Sequence, residues 1–147
     1  MDQNLLSLIY PHWREEAAHW SAALARAQEL YDPQQADPAQ RLESLGYRLE
    51  LAPLSVPGAT VYGRIDKEER VVYLDLEALD TLLERTQGWG EGELDLASAS
   101  TLIWAHELYH ALERRPRAYS ELAAQMFALL SLGYDPQTLR LQLEAEG

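Results

Sequence analysis

The stretch at 106–110 reads H-E-x-x-H inside an apolar run, and it constrains the fold of this chain more than any other feature. Apolar residues fill 102–105 before it and 111–112 after it, which predicts a helix that is buried on most sides. His106 and His110 are four residues apart, so they share one face about a turn from each other. A surface helix with two solvated histidines is the alternative. The apolar flanks favour burial, and buried imidazoles without partners are costly.

Two imidazoles on one helical face are typical of a metal site, and a glutamate beside the first can act on water bound to that metal. On such a helix Glu107 lies about 100° from His106 and about 60° from His110. Its carboxylate can therefore reach the fourth metal position without being a ligand. The pattern predicts a zinc site with Glu107 as general base.

Catalytic zinc takes a third protein ligand, and several residues compete for that role. His12 and His19 are remote in sequence and are best explained as surface positions of an amphipathic helix. Glu113 lies one turn beyond His110 on the same helix and cannot easily curl back. Glu121 begins the next helix after the break at 114–116, and a tight helix-turn-helix returns it to His110. We therefore predict that His106, His110 and Glu121 hold Zn²⁺.

Composition limits the class of protein. The 147 residues are 47% hydrophobic, enough for one domain, 1–147, with its own core. The net charge of −12 repels phosphates, which argues against direct nucleic-acid binding, a transcription regulator or an anionic membrane surface. Without cysteine there is no disulfide and no thiolate site. The start of the chain does not resemble a signal peptide and no run is long enough to span a membrane, so we expect a soluble, cytoplasmic protein.

The spacing of apolar residues, together with the positions of proline, glycine and aspartate, predicts an α+β fold. It has a small antiparallel sheet of about three strands packed against helices. Residues 1–35 form an N-terminal helical segment. The third strand could be an edge that receives an extended substrate or an interior strand. The predicted helices cover 11–30, 39–45, 76–85, 95–114, 117–132 and 135 onward, and the predicted strands cover 47–51, 59–65 and 70–74.

The segment 121–128, ELAAQMFA, resembles the E-x-x-A-N-x-F-A segment that follows H-E-x-x-H in the ImmA/IrrE family of gluzincin-type metallopeptidases. Similar stretches occur at 45–49, 59–74 and 101–108, so the likeness covers about residues 38–133. It implies a zincin-like fold in which the two histidines and the downstream glutamate, here His106, His110 and Glu121, bind zinc. It also implies hydrolysis of a protein or peptide substrate, such as a regulator.

Peptide hydrolysis also needs a donor for the oxyanion. Tyr109 ranks first among the candidates because it projects near the face of His106. Arg117, Tyr119 and Tyr134 are the others, and the sequence does not choose among them. Because no donor is evident, a second hypothesis stays open. In it the protein is a catalytically silent or latent metal-binding module that recognises a partner, with the N-terminal helix as a plug.

Overall fold

Aspartates set the start of four helices, as the sequence predicts. Asp37, Asp75, Asp95 and Asp135 each accept a hydrogen bond from a backbone N–H in the first turn of the helix that follows. Such side chains satisfy donors that have no partner inside the helix. The helix boundaries at these positions therefore follow from local chemistry.

The computed structural model describes residues 4–146 and has an α+β fold with a small mixed sheet. The α-helices in this part of the chain are α1 (Leu5–Ile9), α2 (Trp20–Leu30), α3 (Pro38–Ser44), α4 (Leu76–Arg85), α5 (Leu96–Leu112), α6 (Ser120–Ser131) and α7 (Pro136–Glu146). The strands are β1 (Arg48–Leu51), β2 (Gly63–Asp66) and β3 (Val71–Leu74). Within residues 4–146, none of these helices combines the length and apolar character that crossing a membrane requires.

The prediction of an antiparallel sheet is wrong for one of the two strand pairs. The strand order is β1-β3-β2, with β2 antiparallel to β3 and β1 parallel to β3. The reason lies in the chain that leaves β1. The carboxylate of Asp75, at the end of β3, accepts hydrogen bonds from the N–H groups of Leu54 (2.8 Å) and Ser55 (3.1 Å). This tie holds β1 beside β3, so β3 is interior and β2 is an edge.

The N-terminal segment also differs from the prediction of one helix over 11–30. A 3₁₀ segment, Trp13–His19, precedes α2, and the backbone leaves helical geometry at Glu16. The short helix α1, which the sequence pattern did not indicate, is capped at its N-terminus by Asn4. The side chain of Asn4 accepts from the N–H of Leu6 and donates to the carbonyl of Leu139 in α7. The N-terminal segment is thus docked on the C-terminal helices.

Helix α5 is at the centre of the molecule. It packs against α6, α3 and α4 and against β2 and β3, while α6 in turn packs against α2 and α7. Large side chains fill the space between these elements and are almost completely buried, among them Trp13, Trp20, Tyr109, Phe127 and Leu102. The polar residues at 106–110 therefore lie on a helix that the sheet and the other helices enclose.

Asp75 gives a prediction for stability and its pH dependence. Hydrogen bonds from the backbone of Leu54, together with those of Ser55 and Ala78, outweigh burial and lower the pKa of Asp75 to about 2. Because the pKa is lowered in the folded state, the charged form of Asp75 stabilises the fold at pH values above the ordinary pKa of about 4. This contribution to stability is lost as the pH falls from about 4 to 2. We expect Asp75→Asn to lower the free energy of unfolding by about 2 kcal/mol at pH 7.

The loss should be much smaller near pH 2, and urea denaturation at both pH values measures it. Asp80→Asn, an exposed substitution on the same helix, is the control and should change little. An equal loss for Asp75→Asn at both pH values would contradict this account of the charge.

Candidate metal centre

Helices α5 and α6 bring three predicted ligands together. His106 and His110 lie on one face of α5, and Glu121 lies in the first turn of α6. The Nε2 atoms of the two histidines are 3.3 Å apart. One carboxylate oxygen of Glu121 is 3.3 Å from His106 Nε2, and the other is 3.0 Å from His110 Nε2. Within residues 4–146 these three side chains form a group that could hold a metal ion.

The 3.3 Å between the two histidine nitrogens suits a zinc ion, and Glu121 presents a different carboxylate oxygen to each histidine. Zinc bonds of about 2.0–2.1 Å in a tetrahedron separate neighbouring ligand atoms by about 3.3–3.4 Å. The alternative is a metal-free cluster in which both Nε2–H groups donate to Glu121. In that arrangement two N–H donors, whose hydrogens repel each other, lie 3.3 Å apart. A shared cation would instead bind the lone pairs of both nitrogens. The side chain of Glu121 is 61% exposed, so the centre is open to solvent on this side.

A buried hydrogen-bonded cluster fixes the turn between α5 and α6. Glu113, only 4% exposed, accepts from the hydroxyl of Tyr109 (2.7 Å) and from the hydroxyl of Ser120 (2.8 Å). The Ser120 hydroxyl in turn accepts from the N–H of Arg117 (2.7 Å). The last turn of α5 is therefore tied to the first turn of α6. This tie holds Glu121 opposite the histidines.

The charges of the centre support one another. Hydrogen bonds from His106 and His110 outweigh burial and lower the pKa of Glu121 well below its ordinary value. Burial opposes the charged form of His106, but the hydrogen bond to Glu121 and the charge of Glu107 outweigh it and raise its pKa. The centre is therefore an anionic group between two basic nitrogens, which is the donor set that zinc prefers.

Glu107 lies next to the cluster and is 5% exposed. Burial raises the pKa of Glu107, against the opposing influence of His106 and His110. Its side chain lines two cavities that meet at the centre. A buried carboxylic acid of raised pKa beside a cavity is a common form of general acid or base.

The two cavities differ in character. The first has a volume of about 230 Å³ and is walled mainly by apolar side chains, including Ile9, Leu82, Leu102 and Ile103. The second has a volume of about 560 Å³ and runs along β2 toward Lys67 and Pro116. Gly63, His106, Glu107 and Glu121 line both. The centre thus has an apolar pocket on one side and an open polar cleft on the other.

Strand β2 gives this centre a free sheet edge. The N–H of Asp75, just after β3, donates a hydrogen bond to the carbonyl of Tyr62 (2.9 Å). By the register of the pair, the backbones of Tyr62 and Arg64 therefore face β3 and hydrogen-bond with it. In an antiparallel ladder the residues between them direct their N–H and C=O groups to the other side. Gly63 and Ile65 therefore present backbone donors and acceptors at the outer edge, beside the cavities.

Gly63 allows β2 to approach α5 closely. A Cβ at this position would lie 2.6 Å from the Cγ2 of Ile103, 3.2 Å from the carbonyl oxygen of Tyr73 and 3.5 Å from the Cγ of Glu107. Glycine is the residue that such an approach requires. The absence of a side chain at Gly63 thus allows the short distance between β2 and α5.

We expect Gly63→Ala to lower the free energy of unfolding by about 1–3 kcal/mol, because the added methyl overpacks the contact with Ile103. Chemical denaturation measures the change. Gly92→Ala is the matched control, since a Cβ there would meet only Trp89 at an ordinary 3.5 Å. Equal stability of the two variants would contradict the close approach.

The residues considered as oxyanion donors do not gather at the centre. Tyr109 is fully buried, and its hydroxyl donates a hydrogen bond to Glu113. Burial raises the pKa of Tyr109, and the hydrogen bond to Glu113 raises it further. Arg117 is exposed, and the ring of Tyr119 lies near that of His19, with their centroids 6.1 Å apart. Tyr134 lines a different cavity. None of the four lines the two cavities at the cluster. The structure therefore does not bring the Tyr109 hydroxyl into the site.

Other residues near the centre were missed at the level of sequence. Gln125, one turn after Glu121 on α6, lines the apolar pocket together with His106. Its spacing of four residues from Glu121 was an available signal. Tyr62 and Ile9 also line the pocket, but no local pattern marks them. His12 and His19 are exposed and lie outside the cluster, as predicted.

Comparisons with known proteins give no relative. No family model, curated protein or solved structure matches the chain.

Proposed function

We propose that this protein is a zinc-dependent metallopeptidase of the gluzincin type with a zincin-like fold. One observation carries the proposal. The imidazoles of His106 and His110 and the carboxylate of Glu121 converge to 3.0–3.3 Å where two cavities meet. Buried Glu107 lines both cavities, which supports the role of general base that we propose for it. The resemblance of 121–128 to the ImmA/IrrE family supports the same proposal.

Zinc, when bound, supplies a Lewis acid that polarises a carbonyl and lowers the pKa of a coordinated water to about 7. Glu107 removes a proton from a water molecule while the oxygen of that water attacks the carbonyl carbon of the substrate. Glu107 then gives that proton to the amide nitrogen as the C–N bond breaks. The products are a carboxylic acid and an amine. The raised pKa of Glu107 suits both proton transfers, since a weakly acidic group can accept and then donate near neutral pH.

The edge of β2 supports a polypeptide substrate rather than a small molecule. An extended peptide could pair with the outward N–H and C=O groups of Gly63 and Ile65, as in β-strand addition. Such pairing would lay its backbone along the open cleft and across Glu107. From the sequence, the third strand was one candidate for this role, and an interior position in the sheet was the alternative. That strand is interior, and β2 is the strand with a free edge beside the centre.

A silent metal-binding module is the second candidate function. It is favoured by one observation, that none of the four oxyanion candidates lines the cavities at the cluster. The plug that this hypothesis assigned to the N-terminal helix has a counterpart in Ile9, which forms part of a pocket wall. For either function we propose a cytoplasmic protein, since a chain without cysteine suits a reducing compartment.

Hydrolysis of an unfolded protein tests the proposal. Fluorescent casein and a mixture of short peptides are incubated with zinc-loaded protein, and products are identified by mass spectrometry. We expect cleavage that 1,10-phenanthroline abolishes and added zinc restores. Protein that binds zinc but cleaves neither probe would support the silent module instead.

A further inference from the structure

The apolar pocket beside Glu107 depends on a helix that lies far from the metal centre in sequence. Ile9, the last residue of α1, lines the pocket together with Leu82 from α4 and Leu102 and Ile103 from α5. The family-like region at 38–133 contains the other apolar side chains of this wall but not Ile9. The N-terminal segment therefore adds a wall to a pocket that the rest of the chain leaves incomplete.

We propose that Ile9 is a specificity-determining residue. By this inference, which rests on the proposed function, the pocket binds a large apolar side chain of the polypeptide next to the bond that is cut. The residues that line the pocket explain why it should prefer an apolar side chain. The polar side chains of His106, Glu107, Glu121 and Gln125 form part of the lining, and aliphatic side chains form much of the rest. A charged side chain would lose hydration against the aliphatic part of the lining, and an anionic one would also meet the carboxylates of Glu107 and Glu121.

The pocket has the size of one large side chain. Its volume is about 230 Å³, and an apolar cavity of about 150 Å³ already admits benzene. A phenylalanine or leucine side chain therefore has room to enter, whereas alanine would leave most of the volume unfilled. Each methylene gained or lost in an apolar pocket changes specificity by about 10–200-fold.

Contacts on both sides of Ile9 hold it in the wall. On the N-terminal side, Asn4 caps α1 and donates to the carbonyl of Leu139, while Leu5 and Leu6 are buried. On the C-terminal side, Trp13 is 2% exposed in the core. The position of Ile9 is thus fixed by packing, and a change in the size of this side chain should alter the pocket rather than detach the helix.

Two measurements test the inference. In the first, metal-free protein with ¹³C-labelled methyl groups is titrated with toluene and followed by NMR. We expect toluene to shift the methyl signals of Ile9, Leu102 and Ile103 in the wild type. In Ile9→Trp, whose larger side chain fills the pocket, the signals of Leu102 and Ile103 should no longer shift. In the second, zinc-loaded protein cleaves a peptide mixture, and the residues that flank each cleaved bond are tabulated.

The wild type should prefer leucine or phenylalanine over alanine beside the cleaved bond by at least about 10-fold. Ile9→Ala should shift this preference toward tryptophan, and Ile9→Val should shift it less. Leu8→Ala is the matched control, because Leu8 is also half-buried on α1 but does not line the pocket. Circular dichroism checks that each variant folds.

The outcomes separate the two claims. Zinc-dependent cleavage without an apolar preference, or a preference that Ile9→Ala and Ile9→Val leave unchanged, overturns the inference and leaves the proposed function standing. Absence of all cleavage overturns the proposed function and the role of Ile9 in specificity together. In that case toluene binding that is lost in Ile9→Trp still supports Ile9 as a wall of the pocket, and toluene binding unaffected by the substitution overturns it.

Discussion

Glu107→Gln is expected to keep zinc and to lose peptide hydrolysis by about 10²–10⁴-fold, the range that a positioned general acid or base contributes. Glutamine has nearly the same shape as glutamate, so it should fit the buried position between the cavities. It cannot accept the proton of the attacking water, nor return one to the leaving amine. The substitution therefore separates metal binding from proton transfer.

The measurement combines zinc content by mass spectrometry with the initial rate of peptide cleavage. Glu84→Gln, an exposed change on α4, is the matched control and should behave as the wild type. Full cleavage activity in Glu107→Gln would remove Glu107 from the mechanism. Loss of zinc in this variant would instead indicate that Glu107 helps to hold the ion.

His106→Ala is expected to weaken zinc binding by more than about 100-fold, since loss of a group that only supports a ligand already costs about 10–100-fold. The Nε2 of His106 lies within 3.3 Å of both His110 Nε2 and Glu121. Its removal leaves a two-residue site, which is too few for a stable zinc centre. Zinc binds the folded state in preference, so the ion should raise the melting temperature of the wild type and not of the variant.

Thermal unfolding with and without zinc measures this difference. His12→Ala is the control, because His12 is an exposed histidine outside the cluster. Wild-type zinc affinity in His106→Ala would show that the centre is assigned to the wrong residues.

Much of the candidate centre could be predicted because it depends on local rules. The spacing of four between His106 and His110 fixes their common face on any helix. The proline at 116, with the apolar pattern that follows, indicates a turn and a second helix, and this brings Glu121 back to α5. Asp75 and Asp95 mark helix starts through a side-chain chemistry that acts within one turn.

The parts that could not be predicted depend on contacts between distant residues. The position of β1 beside β3 involves contacts between distant residues, among them the hydrogen bonds of Asp75 with Leu54 and Ser55, about 20 residues away. Ile9 meets the pocket across almost 100 residues of intervening chain. No periodicity encodes either contact.

Tyr109 and Glu113 show the same limit at shorter range. Helical geometry put Tyr109 near the face of His106 and excluded Glu113 as a ligand. It did not indicate that the two side chains hydrogen-bond to each other and to Ser120, and so fix the turn before Glu121. Their partner on α6 becomes evident only when the two helices are packed together.

Zinc affinity of the wild type and of Glu121→Ala, measured side by side against a competing chelator, tests the central claim most directly. The account predicts one zinc ion per wild-type chain and an affinity at least about 10–100-fold lower for Glu121→Ala, which lacks the carboxylate ligand. A wild-type protein that takes up no zinc, or a Glu121→Ala variant that binds it as tightly as the wild type, would contradict the three-residue centre.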